Sequence, residues 1–308
     1  MLNWMYDIAV IGCPSFDRIT RNSIQNSVRN LSGPAVTTTV TASKLGIENM
    51  VLIGSLSSEF ETQIISEFNS LGIPEYFTID SPETGGFEIE CDEDKDPVIT
   101  SVLGIPKPIG IREIPEEFLL SKIIALCPLM QEVDAELVEW ICNSSDAQIL
   151  LDPQLRTVND NHKLEVISEL YVASKTHSFI DYIIPSEHEA FLITGESDPF
   201  VAAEIIVDSI ADNCIITLDS RGSLLFDGQK YSIIPSQSTK PCDLNDVSAA
   251  FLAGFAFGLL HNQKPSDCAA LGTSVVTFMS PRSGNDFHLN PSDVQQKANE
   301  IAQDIETR

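Results

Sequence analysis

Positive charge is what this chain has least of: 18 lysines and arginines stand against 45 aspartates and glutamates, a formal net charge of -27 over 308 residues. Binding to nucleic acid or to anionic membranes needs Lys/Arg patches that release counterions, so both partners are excluded as expectations. A bound anion is not, because screening at physiological ionic strength confines the repulsion to about 8–10 Å. Long apolar runs are missing as well. No stretch approaches the roughly 18 apolar residues of a spanning helix, and Met1 to Asp7 shows no basic region ahead of an apolar one, so a soluble, cytoplasmic protein is expected. The seven cysteines have no paired C-x-x-C spacing, which argues against a zinc cluster or a disulfide framework and for reduced, buried thiols. His162, His177, His188, His261 and His288 show neither ligand spacing nor a triad partner.

What is present is a core. With 43% apolar residues the chain can bury one large hydrophobic interior plus a small accessory element. Short apolar runs at 7–12, 51–54, 123–126, 149–151 and 182–184 alternate with helical patterns such as 59–71, 133–143, 163–175 and 198–211. That rhythm predicts βαβ units on a mostly buried parallel sheet. Near 213–234 three short runs separated by turn residues predict a strand followed by an antiparallel hairpin, and helical patterns at 246–262, 264–279 and 291–306 follow. Residues 76–105, with an acidic turn at Asp92 to Asp96, read instead as a hairpin without a covering helix. A sheet of that size is marginal alone in water and asks for a second face, expected from a partner lid or the substrate.

Several segments carry a family resemblance. Residues 241–255 read Pro-Cys-Asp-Leu-Asn-Asp-Val-Ser-Ala-Ala-Phe-Leu-Ala-Gly-Phe. Ser32-Gly33-Pro34-Ala35-Val36-Thr37 runs on to Lys44-Leu45-Gly46, and Leu151-Asp152-Pro153-Gln154-Leu155-Arg156, Pro185-Ser186-Glu187-His188-Glu189 and Thr217-Leu218-Asp219-Ser220-Arg221-Gly222 complete the set. Together they resemble the ribokinase/PfkB carbohydrate kinases. The resemblance implies a ribokinase-like three-layer α/β/α fold, residues 1–308 forming one domain with a mostly parallel central sheet. A small β lid would be inserted at about 76–105, with an early segment 13–32 joining it. In that family such a lid covers the sugar and often makes the contact of a homodimer.

The same resemblance assigns candidate sites. Asp17, Gly33, Thr37, Gln154 and Arg156 fall where substrate is bound, and Thr217, Gly222, Asp243 and Ser248 where the nucleotide is bound. Glu189 falls where Mg²⁺ is held through water. The residue types suit the chemistry: a carboxylate at a strand tip accepts paired hydroxyl hydrogen bonds, and a guanidinium grips phosphate. Each also has a plainer role open to it. Asp17 fits a turn or cap, Arg156 a surface ion pair, and Glu189 compensation of a helix dipole.

Departures cluster at the phosphate-handling end. The family's Gly-Ala-Gly-Asp core falls on Asp246, Val247, Ser248 and Ala249, which removes the glycines that let amides close round a phosphate, and with them the catalytic base. Asp219 also puts a carboxylate where ATP phosphates pass, whereas on the substrate side Ser32 and Thr37 replace a Gly and an Asn. By resemblance the chain is an ATP-dependent, Mg²⁺-using kinase of a hydroxyl-bearing small molecule, whether sugar, polyol or nucleoside, with weak or absent phosphotransfer. The alternative is an active kinase using Asp246, nearly one helical turn ahead of the expected position, as a displaced base; Asp246 would otherwise cap a helix beginning at Val247.

Overall fold

The strand that opens the chain, Tyr6–Ile11, sends Ile8 and Val10 into one hydrophobic cluster and Ala9 and Ile11 into another. Burial on both faces is what a parallel strand between two helical layers requires. The computed structural model describes residues 4–21, 24–25, 29–73, 75–91, 98–130, 132–159, 163–166, 180–236, 246–279 and 287–308.

In chain order the first strands are β1 (Tyr6–Ile11), β2 (Ser15–Arg21), β3 (Ile24–Gln25), β4 (Asn30–Ser32), β5 (Met50–Leu56), β6 (Tyr76–Asp80), β7 (Gly86–Cys91) and β8 (Val98–Gly104). They are followed by β9 (Ser121–Leu126), β10 (Gln148–Leu151), β11 (Arg156–Val158), β12 (Leu164–Val166), β13 (Ile180–Ile183), β14 (Ala211–Thr217), β15 (Ser223–Phe226), β16 (Tyr231–Ile234) and β17 (Glu306–Thr307). The helices are α1 (Pro34–Lys44), α2 (Glu61–Leu71), α3 (Ala135–Ser144), α4 (Glu187–Thr194), α5 (Pro199–Ser209), α6 (Asp246–Leu260), α7 (Pro265–Phe278) and α8 (Pro291–Gln303). Among the described residues no helix is long and apolar enough to cross a membrane.

The main sheet has ten strands in the order β17-β16-β15-β14-β13-β10-β9-β1-β5-β6. From β14 to β6 the pairings are parallel, and β15, β16 and β17 add an antiparallel edge. Helices α1, α2, α6, α7 and α8 cover one face and α3, α4 and α5 the other. The chain leaves β1 in one direction toward β5 and β6, then returns to β1's other side at β9. The parallel strand ends around this reversal therefore form the crevice where open α/β sheets bind ligands.

Helix α6 is apolar all round, with Ala249, Ala250, Phe251, Leu252, Ala253, Phe255 and Ala256 buried, as a central helix must be. It lies so close to α7 that a Cβ on Gly254 would stand 2.9 Å from the Gly272 Cα. Of four buried threonines in α1, poor helix formers, Thr39 donates within the helix to the Ala35 carbonyl at 2.7 Å and Thr38 reaches across to the Ala249 carbonyl of α6 at 3.2 Å.

A second sheet of five strands runs β3-β2-β7-β8, with β4 on β2. The β7–β8 hairpin is thus extended by strands from the early segment, while β6 closes the edge of the main sheet rather than joining the hairpin. Its apolar face carries Phe87, Ile89, Ile19, Ile99 and Val102. They pack with Leu129 and Met130 and with Val158 and Leu164 of the two-stranded β11–β12 hairpin. The second face is therefore supplied within the chain, not by a partner lid or the substrate as the sequence led us to expect. Two further sequence-based expectations are corrected here. The pattern at 163–175 begins as strand β12, not helix, because Leu164 pairs with Val158 and packs half-buried against the small sheet; residues 167–175 lie outside the described residues. The last helix stops at Gln303, since Glu306 and Thr307 pair with β16.

Candidate active site

At the end of β10 the Asp152 carboxylate is fully buried. Pro153 follows it, and the backbone then turns through Gln154 in the left-handed region, φ +40, a conformation few side chains adopt without local compensation. Compensation is visible in the Gln154 side chain, itself 2% exposed. Its Nε2 donates to Asp152 Oδ1 and Oδ2 at 3.1 and 3.0 Å and to Ser248 Oγ at 3.1 Å, while the Arg156 guanidinium donates to its Oε1. The Ser248 hydroxyl in turn donates to Asp152 Oδ2 at 3.0 Å. Burial pushes the Asp152 carboxyl up to about 7, helped by the negative charge of Glu189; the bonds from Gln154 and Ser248 and the charge of Arg156 oppose the rise without cancelling it.

Beside this network α4 begins with a reciprocal cap. Ser186 Oγ accepts from the Glu189 N–H at 3.2 Å, and Glu189 Oε2 accepts from the Ser186 N–H and hydroxyl, both at 2.8 Å. Glu189 Oε1 accepts from the Leu155 N–H at 3.3 Å, tying α4 to the turn after β10. Ser186 bridges to Thr217 at the end of β14, and the Thr217 N–H donates to the Pro185 carbonyl at 2.9 Å. The turn that follows places Asp219 at φ +52 and Gly222 at φ +100, and a Cβ on Gly222 would meet the Ile234 carbonyl oxygen at 1.9 Å. Asp is among the few residues that tolerate the left-handed region, which is how it stands in for a glycine here. Arg221 forms an ion pair with Glu187, clasping this turn to the start of α4.

A second group lies where the small sheet meets the main one. Asp17 sits within β2 rather than in a turn and is fully buried. Its Oδ1 accepts from the Phe87 N–H at 2.8 Å and its Oδ2 from Ser15 Oγ at 3.1 Å, so it joins β2 to β7. Gly33 has φ +106 and approaches Ser15 so closely that a Cβ would stand 3.2 Å from the Ser15 N and Oγ. Thr37 is buried in the first turn of α1, its N–H donating to the Gly33 carbonyl at 2.9 Å. The next residue, Thr38, reaches α6 at Ala249.

Of the residues singled out from the sequence, Gln154, Arg156, Glu189 and Ser248 come together around Asp152, with Thr217 and Gly222 on the adjoining turn. Asp17, Gly33 and Thr37 form the second group. Asp243 lies outside the described residues. Helix α6 begins at Asp246 rather than Val247, and the Asp246 side chain also lies outside them. Two residues escaped the sequence reading. Asp152 was visible only as part of an Asp-Pro turn. Glu132, 1% exposed, accepts from the N–H groups of Cys13 at 2.9 Å, Leu129 at 2.6 Å and Met130 at 2.9 Å and so ties the turn after β1 to that after β9; no sequence signal marks it.

The donor set does not fit a directly held Mg²⁺. Both Glu189 oxygens serve the start of α4 and the Leu155 amide, and no cluster of three or more His, Cys, Asp or Glu able to hold a metal occurs among the described residues. At the start of α6, Ala249 is fully buried and the Ser248 hydroxyl is bonded to the Asp152 carboxylate.

Residues 3–286 match the model of the pfkB family carbohydrate kinases. A cytidine kinase of Thermococcus kodakarensis is 24% identical over 271 residues, 87% of this chain and 94% of that protein. A ribokinase of Lactococcus lactis subsp. lactis is 25% identical over 283 residues, 87% of this chain and 88% of that protein. The crystal structure of a ribokinase from Thermotoga maritima superposes with a TM-score of 0.76 at 19% identity, covering 96% of this chain and 99% of that one. The three-layer architecture is thus the ribokinase fold.

Proposed function

The chain belongs to the pfkB family of carbohydrate kinases, and we propose that it binds a sugar, polyol or nucleoside in the family's cleft while transferring phosphoryl groups slowly or not at all. The observation that carries this is the start of α6. Ala249 occupies the register of the family's base, is fully buried, and its carbonyl accepts from Thr38 Oγ1. The neighbouring Ser248 hydroxyl is committed to Asp152. In-line phosphoryl transfer depends on a positioned base and on donors aimed at the developing charge, and here neither has the expected residue.

The cleft side is better preserved. Asp17, Gly33 and Ser15 remain in mutual contact at the root of the small sheet, which in this reading is the lid over a hydroxyl-bearing ligand. ATP and Mg²⁺ are the family's cofactors; bound here, they would supply the phosphoryl group and its charge neutralisation. Residues left to meet them are Thr217, Gly222 and Ser248, with Glu189 reaching a metal only through water. A second copy approaching the lid would meet its other face, which carries the Arg18–Glu88 ion pair and Ser101 bonded to Glu88. The start of α6 at Asp246, one turn ahead of Ala249, supports the alternative of a displaced base.

D-ribose and cytidine are suitable probes in a coupled assay of ADP formation with MgATP, run beside calorimetric titration of each compound. The expected result is saturable binding of at least one, with ADP formation no faster than in its absence. Turnover within the usual kinase range of about 1–100 s⁻¹ overturns the proposal, and its loss in Asp246→Asn would assign the base to Asp246.

A further inference from the structure

We propose that the β11–β12 hairpin is a strap that couples the position of the small sheet to the first turn of α6. At one end, Val158 and Leu164 are direct cross-strand partners, and both pack against Phe87 and Ile89 of β7 together with Leu129 and Met130. The hairpin is held to the small sheet by apolar contact, and contact of that kind moves as a unit because packed side chains do not deform continuously.

At the other end stands Arg156. Side chains alternate along a strand, so Arg156 lies on the same face of β11 as Val158, one pleat nearer the crevice. Its guanidinium donates to Gln154 Oε1 and its N–H to the Gln154 carbonyl at 2.6 Å. An amide has one acceptor end and one donor end; with Oε1 turned to Arg156, Nε2 must point at Asp152 and Ser248, as it does. Ser248 belongs to the first turn of α6. A route therefore leads from the Phe87–Ile89 cluster to Val158, along β11 to Arg156, and by hydrogen bonds through Gln154 to Ser248, with only three residues of chain between Gln154 and Val158.

Asp17 gives the sheet end a fixed reference. It holds the Phe87 N–H against Ser15 and Gly33 at the root of the same sheet, so a shift of β7 there is transmitted to its apolar face. If the small sheet is the lid over the cleft, its closure over a ligand is registered at the helix start by this route. Resting on the cleft assignment alone, the strap does not require phosphotransfer.

Hydrogen exchange measured by mass spectrometry on the full chain without ligand tests the coupling. In Leu164→Ser both the β7–β8 amides and those of Ala250 to Ala253, whose bonds close the first turn of α6, should exchange about tenfold faster than in the wild type. Arg156→Ala leaves the apolar contact intact; it should speed exchange at Ala250 to Ala253 alone. Adding Gln154→Ala to Leu164→Ser should produce no further change there, because the route has already been cut. A truncation on the opposite helical layer, Leu137→Ala, serves as control and should leave α6 unaffected. If Arg156→Ala leaves the α6 amides at wild-type rates, or if Leu164→Ser loosens β7–β8 without touching α6, the hairpin merely covers the sheet and the proposal is wrong.

Discussion

Asp152 concentrates the chemistry of the site in one carboxyl. Fully buried and beside Glu189, it is held up to about 7, against an ordinary value of 3.8. The folded protein therefore binds its proton more tightly than the unfolded chain does. The stability contributed by Asp152 is full below about pH 4, falls as pH rises through the window up to about 7, and levels off above it. A displacement from 3.8 to about 7 amounts to on the order of 4 kcal/mol across that window. In Asp152→Asn the dependence should vanish, leaving only a pH-independent cost at the oxygen that becomes an amide nitrogen, which cannot accept from Gln154 or Ser248. Urea unfolding at pH 5 and pH 8 measures this: the variant should gain on the wild type between the two, and an equal difference at both would show that Asp152 titrates as an ordinary carboxyl. At this scale the sequence displayed the residues without their relations. Gln154 and Ser248 were legible as candidates, but the contact between Ser248 and Asp152 spans 96 positions, and no local pattern encodes it.

Elements show the opposite balance. Strand and helix periods marked the parallel sheet and most of its helices, because each of those segments buries apolar residues at its own spacing. Two start signals went unread: Pro34 follows the left-handed Gly33 at the head of α1, and Ser186 with Glu189 forms the cap of α4. Replacing Ser186 by Ala should therefore cost about 1 kcal/mol in a denaturant titration and free Glu189 Oε2 from the hydroxyl. A loss well under that value would mean that the bond from Glu189 to the Leu155 amide holds α4 without its cap. Pairing between distant segments was less legible. The parallel match of Arg18 with Glu88 and Ile19 with Ile89 builds the small sheet from two separate stretches. Nothing in either stretch names its partner, since sheet preference reflects packing against neighbours. The same physics turned Leu164–Val166 into a strand. Its apolar spacing satisfies a helix as well, and contact with Phe87 and Ile89 decided between them.

For the molecule as a whole, the family's frame is present, and the proposal places the change at its phosphate end. Acidity compounds the alteration: a net charge of -27 sets a long-range field against a tetraanionic nucleotide, and salt shields it. The local obstacles do not depend on salt. They are the buried Ala249, the Ser248 hydroxyl committed to Asp152, and Asp219 on the turn beside Thr217. Calorimetric titration with MgATP at low and at high salt separates the two causes and tests most directly whether the phosphate end has been given up. The account predicts no saturable heat up to roughly 1 mM nucleotide under either condition, whereas a dissociation constant of about 1–10 µM at either salt would contradict it and return the chain to the ATP-using kinases.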